Sequence, residues 1–471
     1  MRLLFLFLIL LGSVHHSIAD HFTDKKTKTD ANLTGHVINK NTGEHIPFFT
    51  VSLKGTTLGT ATDETGHYFL KNLPVGSYTI RVNGVGYRSA EKQIVLRQGE
   101  TRELNFEVEE DIIQLETVVI SANKNETNRM EAPVVVHVMT PKLFENTNSV
   151  CLAQGLSFQP GLRVETNCQN CGFQQVRING LDGPYTQLLL DGKALFSSLN
   201  GVYGIEQIPA GMIERVEVMR GGGSALYGAN AIGGTVNIIT KEPLNNLFMI
   251  SHNLIAIGNS AYDNTTSLNA SLINGQRNAG LYIFGTSRHR QHYDHDGDHF
   301  SEIGELKLTT LGFRSYYKPS SQTKLTLEYH NIQEFRRGGN LFSLPPHETD
   351  ITEQADHDIN GGGVDFSFFS KDYTHKFSLY SSVQHTDRQS YYGAGKDPNA
   401  YGKTKDLTAI AGIQYSYNFN HLLFMPAILT AGSEYSYNKL VDKMLGYHRT
   451  IDQKVDVYSF FLQNEWKTEQ F

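Results

Sequence analysis

Ile213-Glu214-Arg215-Val216-Glu217-Val218-Met219-Arg220-Gly221-Gly222-Gly223-Ser224-Ala225-Leu226-Tyr227-Gly228-Ala229-Asn230-Ala231-Ile232-Gly233-Gly234-Thr235-Val236-Asn237-Ile238-Ile239-Thr240-Lys241 reads as a strand, a glycine bend, a small-residue segment and a second strand. Two phrases of the same type precede it. Gln175-Val176-Arg177-Ile178-Asn179-Gly180-Leu181 is a strand ending in a turn, and Tyr185-Thr186-Gln187-Leu188-Leu189-Leu190-Asp191-Gly192 is an apolar run stopped by Asp-Gly, a strong turn signal after a buried strand. All three describe a small, glycine-rich, strand-dominated domain.

In this order the phrases resemble the plug domain of TonB-dependent outer-membrane receptors, the gated transporters of Gram-negative bacteria. The expected fold class is mainly β: an N-terminal β-sandwich, a small α+β plug, and the first part of an antiparallel transmembrane β-barrel. The expected boundaries are 1–19 for a signal peptide, 31–110 for the sandwich, 111–129 for a TonB box and linker, 130–243 for the plug and 244–471 for the barrel.

Composition agrees. Charged residues are 19% and the net charge is −7, so nothing suggests a nucleic-acid partner. With 23 Tyr, 26 Phe and 43 Gly against one Trp, the chain suits strands, turns and interfaces better than helices. Arg2, an apolar run over 3–11 and Ser17-Ile18-Ala19 before Asp20 fit a secretory signal. That run is well short of the ~20 residues a spanning helix needs, and no cysteine at the cut offers a lipid anchor. No other stretch is apolar enough for such a helix, which leaves a closed barrel as the spanning structure.

Turns at Asn41-Thr42-Gly43, Asp63-Glu64-Thr65-Gly66 and Pro74-Val75-Gly76 separate strands expected at 34–38, 49–53, 68–70, 78–82, 93–96 and 103–108. The phrases Asp63-Glu64-Thr65-Gly66-His67-Tyr68-Phe69-Leu70, Gly76-Ser77-Tyr78-Thr79-Ile80 and Gly86-Tyr87 resemble the carboxypeptidase regulatory-like sandwich that precedes the plug in Bacteroidetes receptors. No peptidase domain follows it. His299 and Glu302 have the spacing of a zinc-peptidase fragment, but no α/β pattern surrounds them. The chain is therefore not expected to be an enzyme.

Glu116, Thr117, Val118, Val119, Ile120 and Ser121 form a β-branched segment ahead of a polar tract over 123–129. Such a segment can add to another protein's sheet edge, and it is similar to the box that a receptor offers to TonB. Within the plug, Pro160-Gly161 turns into a strand, and Cys168-Gln169-Asn170-Cys171 follows. In an exported chain the cysteine pair reads as a disulfide closing a very short loop, with a metal-binding or redox pair as the alternative. Cys151 is then left over as a small buried hydrophobe.

From about residue 245 the pattern has period two. Leu325, Leu327 and Tyr329 alternate with Thr326, Glu328 and His330, and Ile413, Tyr415 and Tyr417 alternate with Gln414 and Ser416. That is the apolar-out, polar-in writing of a membrane barrel. Short turns near 274–280, 318–324, 370–375 and 418–421 alternate with longer polar segments, expected as loops, near 291–303, 336–361, 390–405 and 438–452. About ten strands fit between Leu247 and Trp466, whereas plugged transporters have about 22. The sequence is thus expected to be a truncated product or partial record of a longer receptor.

One loop carries unusual chemistry. Asp294, Asp296, Asp298, Glu302 and Glu305 fall at calcium-loop offsets without the usual glycine or flanking helices. Its histidines, His292 and His295 among them, suit haem or a transition metal, and a solvated loop without fixed ligand is the third reading.

The resemblance implies a receptor that takes up a large scarce nutrient, an iron-siderophore, haem or cobalamin, energised through TonB with ExbB and ExbD. The histidine-rich loop tilts the cargo towards haem or iron. No cofactor is required, apart from the calcium ion considered for the loop; outer-membrane lipid and a surface lipoprotein are further partners of this type. Ligand contacts are expected at the plug apex, Asn167, Gln169, Asn170, Tyr185 and Tyr203, and plug–barrel contacts at Arg177, Arg215, Glu217 and Arg220. The rival is a surface binding protein that captures ligand without transport, or an inactive fragment.

Overall fold

Period-two alternation organises the first of two compact units, residues 1–114. The computed structural model describes residues 31–466 apart from 41, 55, 57, 85–86, 88, 110–117, 126, 130–131, 169–171, 195–199, 222, 259 and 373. The expected signal peptide lies outside the described residues. Strands β1 (Ala31–Asn39), β2 (Thr50–Leu53), β3 (Gly59–Ala61), β4 (His67–Leu73), β5 (Gly76–Asn83), β6 (Ala90–Leu96), β7 (Thr101–Glu103) and β8 (Phe106–Val108) form two four-stranded sheets. Their inner faces bury Leu33, Val37, Phe49, Val51, Ile80 and Phe106. The strand expected over 103–108 is two strands. The chain jogs at Leu104-Asn105, where the Asn105 side chain accepts the His36 amide that a continuous ladder would have paired.

The second unit, residues 115–471, begins with a two-residue ribbon, β9 (Val118–Val119) against β10 (Thr127–Asn128). Next come β11 (Val136–Met139), β12 (Leu162–Cys168), β13 (Phe173–Ile178), β14 (Thr186–Leu190), β15 (Ile213–Arg220) and β16 (Gly234–Thr240). The sheet order is β11-β15-β16-β14, with β12 and β13 as a separate hairpin. The runs of β14 and β16 are buried throughout, although β14 lies at the edge of the sheet. Short helices at Pro141–Asn146, Leu152–Leu156 and Asn200–Gln207 cover the sheet.

The remainder is a ten-stranded antiparallel meander: β17 (Leu247–Ile257), β18 (Ala261–Ile273), β19 (Ala279–Arg290), β20 (Glu305–Ser320), β21 (Thr323–Gly339), β22 (Ile351–Phe369), β23 (His375–Ala394), β24 (Tyr401–Leu422), β25 (Met425–Met444) and β26 (Arg449–Trp466). Ten is the number the alternation predicts, and the sheet is a partial barrel wall. Leu325, Leu327, Tyr329, Val364, Ile413 and Tyr415 are exposed on its outer face. Thr326, Glu334 and Arg336 are buried on its inner face, towards the plug.

The wall corrects one expectation. The polar segments near 336–361, 390–405 and 438–452 are mostly strand, leaving connections of 340–350, 395–400 and 445–448. Polarity marks where a strand leaves apolar surroundings, not where it ends. A ladder continues into water because its hydrogen bonds are made between strands, so β22 to β25 far exceed the ~10 residues that cross a bilayer. The short turns 274–278, 321–322, 370–374 and 423–424 all lie at the other end.

Candidate functional site

The bend after β14 meets the wall, and it carries charges of both signs. Leu190 and Lys193 exchange backbone hydrogen bonds across Asp191 and Gly192, which both have positive φ (49° and 79°). That is the two-residue hairpin turn that Asp-Gly favours. Asp191 binds the Thr240 amide (3.0 Å) and hydroxyl (2.7 Å) and receives Arg314 Nη1 from the wall at 2.5 Å. Arg314 also holds its cross-strand partner Glu328 at 2.8 Å. Two residues on, Lys193 reaches Asp365 of β22 at 2.7 Å.

A second coupling lies nearer the end with the longer connections. Glu206, on the helix Asn200–Gln207, is buried among Arg288 (3.2 Å), Arg290 (2.7 Å) and Arg336 (3.3 Å) of the wall. Asp263 binds Arg288 through two oxygens, and Glu334 binds Arg336. Three guanidiniums therefore face three carboxylates, which offsets the desolvation cost of burying them. Burial by itself would raise the Glu206 carboxyl, but Arg290, Arg288 and Arg336 outweigh it and hold the group at about 2. Arg336 also donates to the Gly172 carbonyl at 3.1 Å, tying down the base of the β12–β13 hairpin tip.

The third coupling fastens Val118–Ser121. One oxygen of Glu217 accepts the amides of Ile120 and Ser121 (both 2.9 Å) and the Ser121 hydroxyl (2.6 Å). Arg215 holds its other oxygen at 2.9 Å. Asn237 donates to the Ser121 hydroxyl (3.1 Å) and accepts the Gly192 amide (2.9 Å). A continuous line of hydrogen bonds thus runs from the fastened segment through the sheet to the Asp191 turn and the wall.

The expected sites fare unevenly. Of the segment expected to bind TonB, Glu116 and Thr117 lie outside the described residues, and Val119 and Ser121 are fully buried rather than extended into solvent. The polar tract behind it is no free linker. Asn125 binds Thr430 and Ser416 of the wall at 2.7 and 3.0 Å, because a polar lumen gives polar side chains partners.

Arg177, Arg215, Glu217 and Arg220 are a correction. Among the described residues their bonds stay within the plug and its fastened segment: Arg177 to Glu165 and Asp182, Arg215 to Glu217, and Arg220 to the Pro160 carbonyl. Gly161, at φ 80°, leaves room for that guanidinium, since a Cβ there would stand 2.7 Å from Arg220 Cζ. These charges hold neighbouring plug elements together. The charges that meet the wall stand on turns and a helix instead.

Gln169, Asn170 and Cys171 lie outside the described residues, as do the side chains of Asn167, Cys168 and Tyr203, and with them the expected disulfide. Tyr185 is exposed, while its neighbours Pro184 and Thr186 line a cavity of about 630 Å³ between plug and wall. Gln174, Gln187, Asn230, Thr408, Ser436 and Asn438 give that cavity a neutral, amide-rich and hydroxyl-rich lining. Cys151 is a free, buried thiol.

In the 291–304 connection, Asp294, Asp296 and Glu302 bring ligand oxygens within 4.8 Å of one another. Asp298 is outside this group and accepts the Phe300 amide. His292 stacks on Phe342 with centroids 3.7 Å apart, and His295 lies beside Tyr293. The acids expected for a calcium loop thus come together in part, and neither His292 nor His295 belongs to the group.

Sequence reasoning passed over Asp191, Lys193, Glu206, Arg288, Arg290, Arg314 and Arg336. A signal for the wall residues was present: Arg314 and Arg336 are charges on the face that alternation assigns to the lumen.

Comparisons with known proteins divide the chain in the same way. Residues 33–120 match the family described as CarboxypepD_reg-like domain, and residues 128–235 match the TonB-dependent Receptor Plug Domain. A Vitamin B12 transporter BtuB of Vibrio vulnificus is 35% identical over 127 residues, which is 27% of this chain and 21% of the relative. A Vibrio cholerae namesake is 31% identical over 126 residues, with the same shares. The chain therefore matches about a fifth of the length of these relatives. Among solved structures, Pseudomonas aeruginosa FpvA bound to a pyoverdine aligns with TM-score 0.59 at 14% identity, covering 77% of this chain and 54% of that one. The siderophore receptor PirA of Acinetobacter baumannii aligns with TM-score 0.54 at 19% identity, covering 65% and 48%. At such identities the likeness is one of fold.

Proposed function

We propose that this chain, which carries a carboxypeptidase regulatory-like domain and a TonB-dependent receptor plug domain, serves as an outer-membrane receptor for a large scarce nutrient, energised through TonB. The observation that carries the reading is the fastening of Val118–Ser121 by the Glu217 side chain. A segment held by Glu217, Asn237 and a two-residue pairing with β10, rather than by a long ladder, is released by losing few bonds, and it then offers β-branched backbone to a partner's sheet edge. The fastening lies at the short-turn end of the wall, where Asn123 meets Glu465 near the end of β26. In barrels of this kind that end faces the periplasm, where TonB works with ExbB and ExbD.

Cargo enters from the other end, towards the β12–β13 tip and the plug–wall cavity. The neutral amide and hydroxyl lining there suits an uncharged, hydrogen-bonding ligand such as a corrinoid, and the Vibrio relatives are named as vitamin B12 transporters. An iron-siderophore is the second cargo, on the likeness to siderophore receptors. No covalent chemistry is required of the protein.

The test is capture of the receptor from outer membranes by the periplasmic domain of TonB, with cobalamin, haem or a ferric siderophore added in turn. Stronger capture with one of them, matched by growth of the parent but not the deletion strain on that nutrient, supports the reading. Capture unaffected by all three, with equal growth of both strains, overturns it.

A further inference from the structure

Three histidines that take no part in the plug–wall couplings meet on the outer face of the first sandwich sheet. His36 on β1 stands directly across from His67 on β4. His45, on the loop that bridges back to Ile38, completes the group. Ring centroids are 4.9 Å (His36–His45), 5.7 Å (His36–His67) and 4.8 Å (His45–His67) apart. Three imidazoles on one tetrahedral ion, at about 2.1 Å per metal–nitrogen bond, have centroids about 5 Å apart. The ring centres stand near that separation, while their ligating nitrogens do not yet gather within 4.8 Å of one another.

Their hydrogen bonds set the tautomers. The Thr65 carbonyl, which can only accept, lies 3.0 Å from His45 Nδ1, so that nitrogen carries the proton. The Thr65 hydroxyl donates to Asp63 Oδ1 at 2.7 Å and accepts from His67 Nδ1 at 3.0 Å. Both rings are left with an unprotonated Nε2. This is the arrangement by which outer carbonyls and hydroxyls orient metal-binding histidines. The Asp63–Gly66 turn thus orients two of the rings while β1 supplies the third.

We propose that His36, His45 and His67 form a binding site for a divalent transition cation of the zinc and copper class. This assignment is independent of the reading of the plug. In the structure His36 and His45 stack while His67 stands edge-on to His36 and tilted to His45; His45 and His67 are exposed, and binding swings them about their Nδ1 contacts to bring both Nε2 atoms onto one ion with His36. Imidazole sets of this kind favour copper over zinc and zinc over harder cations.

The full chain in detergent is titrated with Zn2+ against a chromogenic chelator, and with one equivalent of Cu2+ for electron paramagnetic resonance. A double variant His45→Gln with His67→Gln is compared with a control, Asp294→Asn with Asp296→Asn in the acidic connection. The expected result is one Zn2+ site weakened about 10-fold or more in the histidine variant only, with loss of the multi-nitrogen copper signature. Both variants lie outside the hydrophobic core, and thermal melts of each check folding. Equal Zn2+ affinity and an unchanged copper spectrum in the histidine variant overturn the site, as does an absence of Zn2+ binding by the parent chain.

Discussion

The Glu217 carboxylate lies 2.6 Å from the Ser121 hydroxyl, and both side chains are fully buried. Glu217 stands in mid-strand on β15 and Ser121 on a segment outside the sheet, so side chains of the sheet, Glu217 with Asn237 beside it, carry the attachment. Replacing Glu217 by Ala removes the acceptor for two amides and a hydroxyl, at about 1.5–3 kcal/mol for each charge-assisted bond. Hydrogen exchange at Ile120 and Ser121 is expected to speed up at least about 10-fold, with the β16 amides protected as before. Unchanged exchange at both positions rules out the fastening role.

Glu206 gives a pH dependence of known sign. Its carboxyl is held at about 2, below the ordinary 4.5. A depressed carboxylate stabilises the fold above its unfolded pKa, and that stabilisation is lost as pH falls from about 4.5 through about 2. The urea midpoint is expected to drop across this window by an amount worth on the order of 3 kcal/mol, and the drop should shrink in Glu206→Gln. A parallel decline in parent and variant means that other groups govern acid sensitivity.

Lys193 and Asp365 join plug and wall as a pair with side chains 5% and 28% exposed. A double-mutant cycle with Lys193→Met and Asp365→Asn is expected to give a coupling of about 1–3 kcal/mol in unfolding. Additive single effects would show that the contact does not hold the plug.

The exposed outer face of the wall sets a fourth test. Ile413→Lys places a charge among Leu379, Tyr415 and their neighbours, and folding into lipid vesicles is expected to weaken by about 2–4 kcal/mol if the position lies near the bilayer midplane. The inward Ser416→Ala should cost less than half as much. Equal costs on the two faces contradict a lipid-facing outer surface.

Local patterns in the chain determined much of this molecule. Alternation assigned Leu325, Leu327 and Tyr329 to the outer face and their neighbours to the inner one, because side-chain direction has period two whatever the strand pairs with. Asp191-Gly192 announced a hairpin turn, since both φ angles there are positive. The strand–bend–strand phrase fixed β15 and β16 for equally local reasons.

What tertiary structure alone decided is which charges meet. Arg215 and Glu217 look like surface charges in sequence, yet Glu217 turns inward to hold Ser121 and Arg215 binds Glu217. Glu206 looks unremarkable on a short helix, yet it balances three arginines from β19 and β21. The polar segments beyond 390 and 438 remain strand because their hydrogen-bond partners lie on neighbouring strands. Partner choice depends on positions some 80 to 130 residues away, as for Glu206 with Arg288 and Arg336, and a local pattern carries no record of such distances. Burial supplies the selection: a charge that leaves water needs a partner, and only the folded chain brings one within reach.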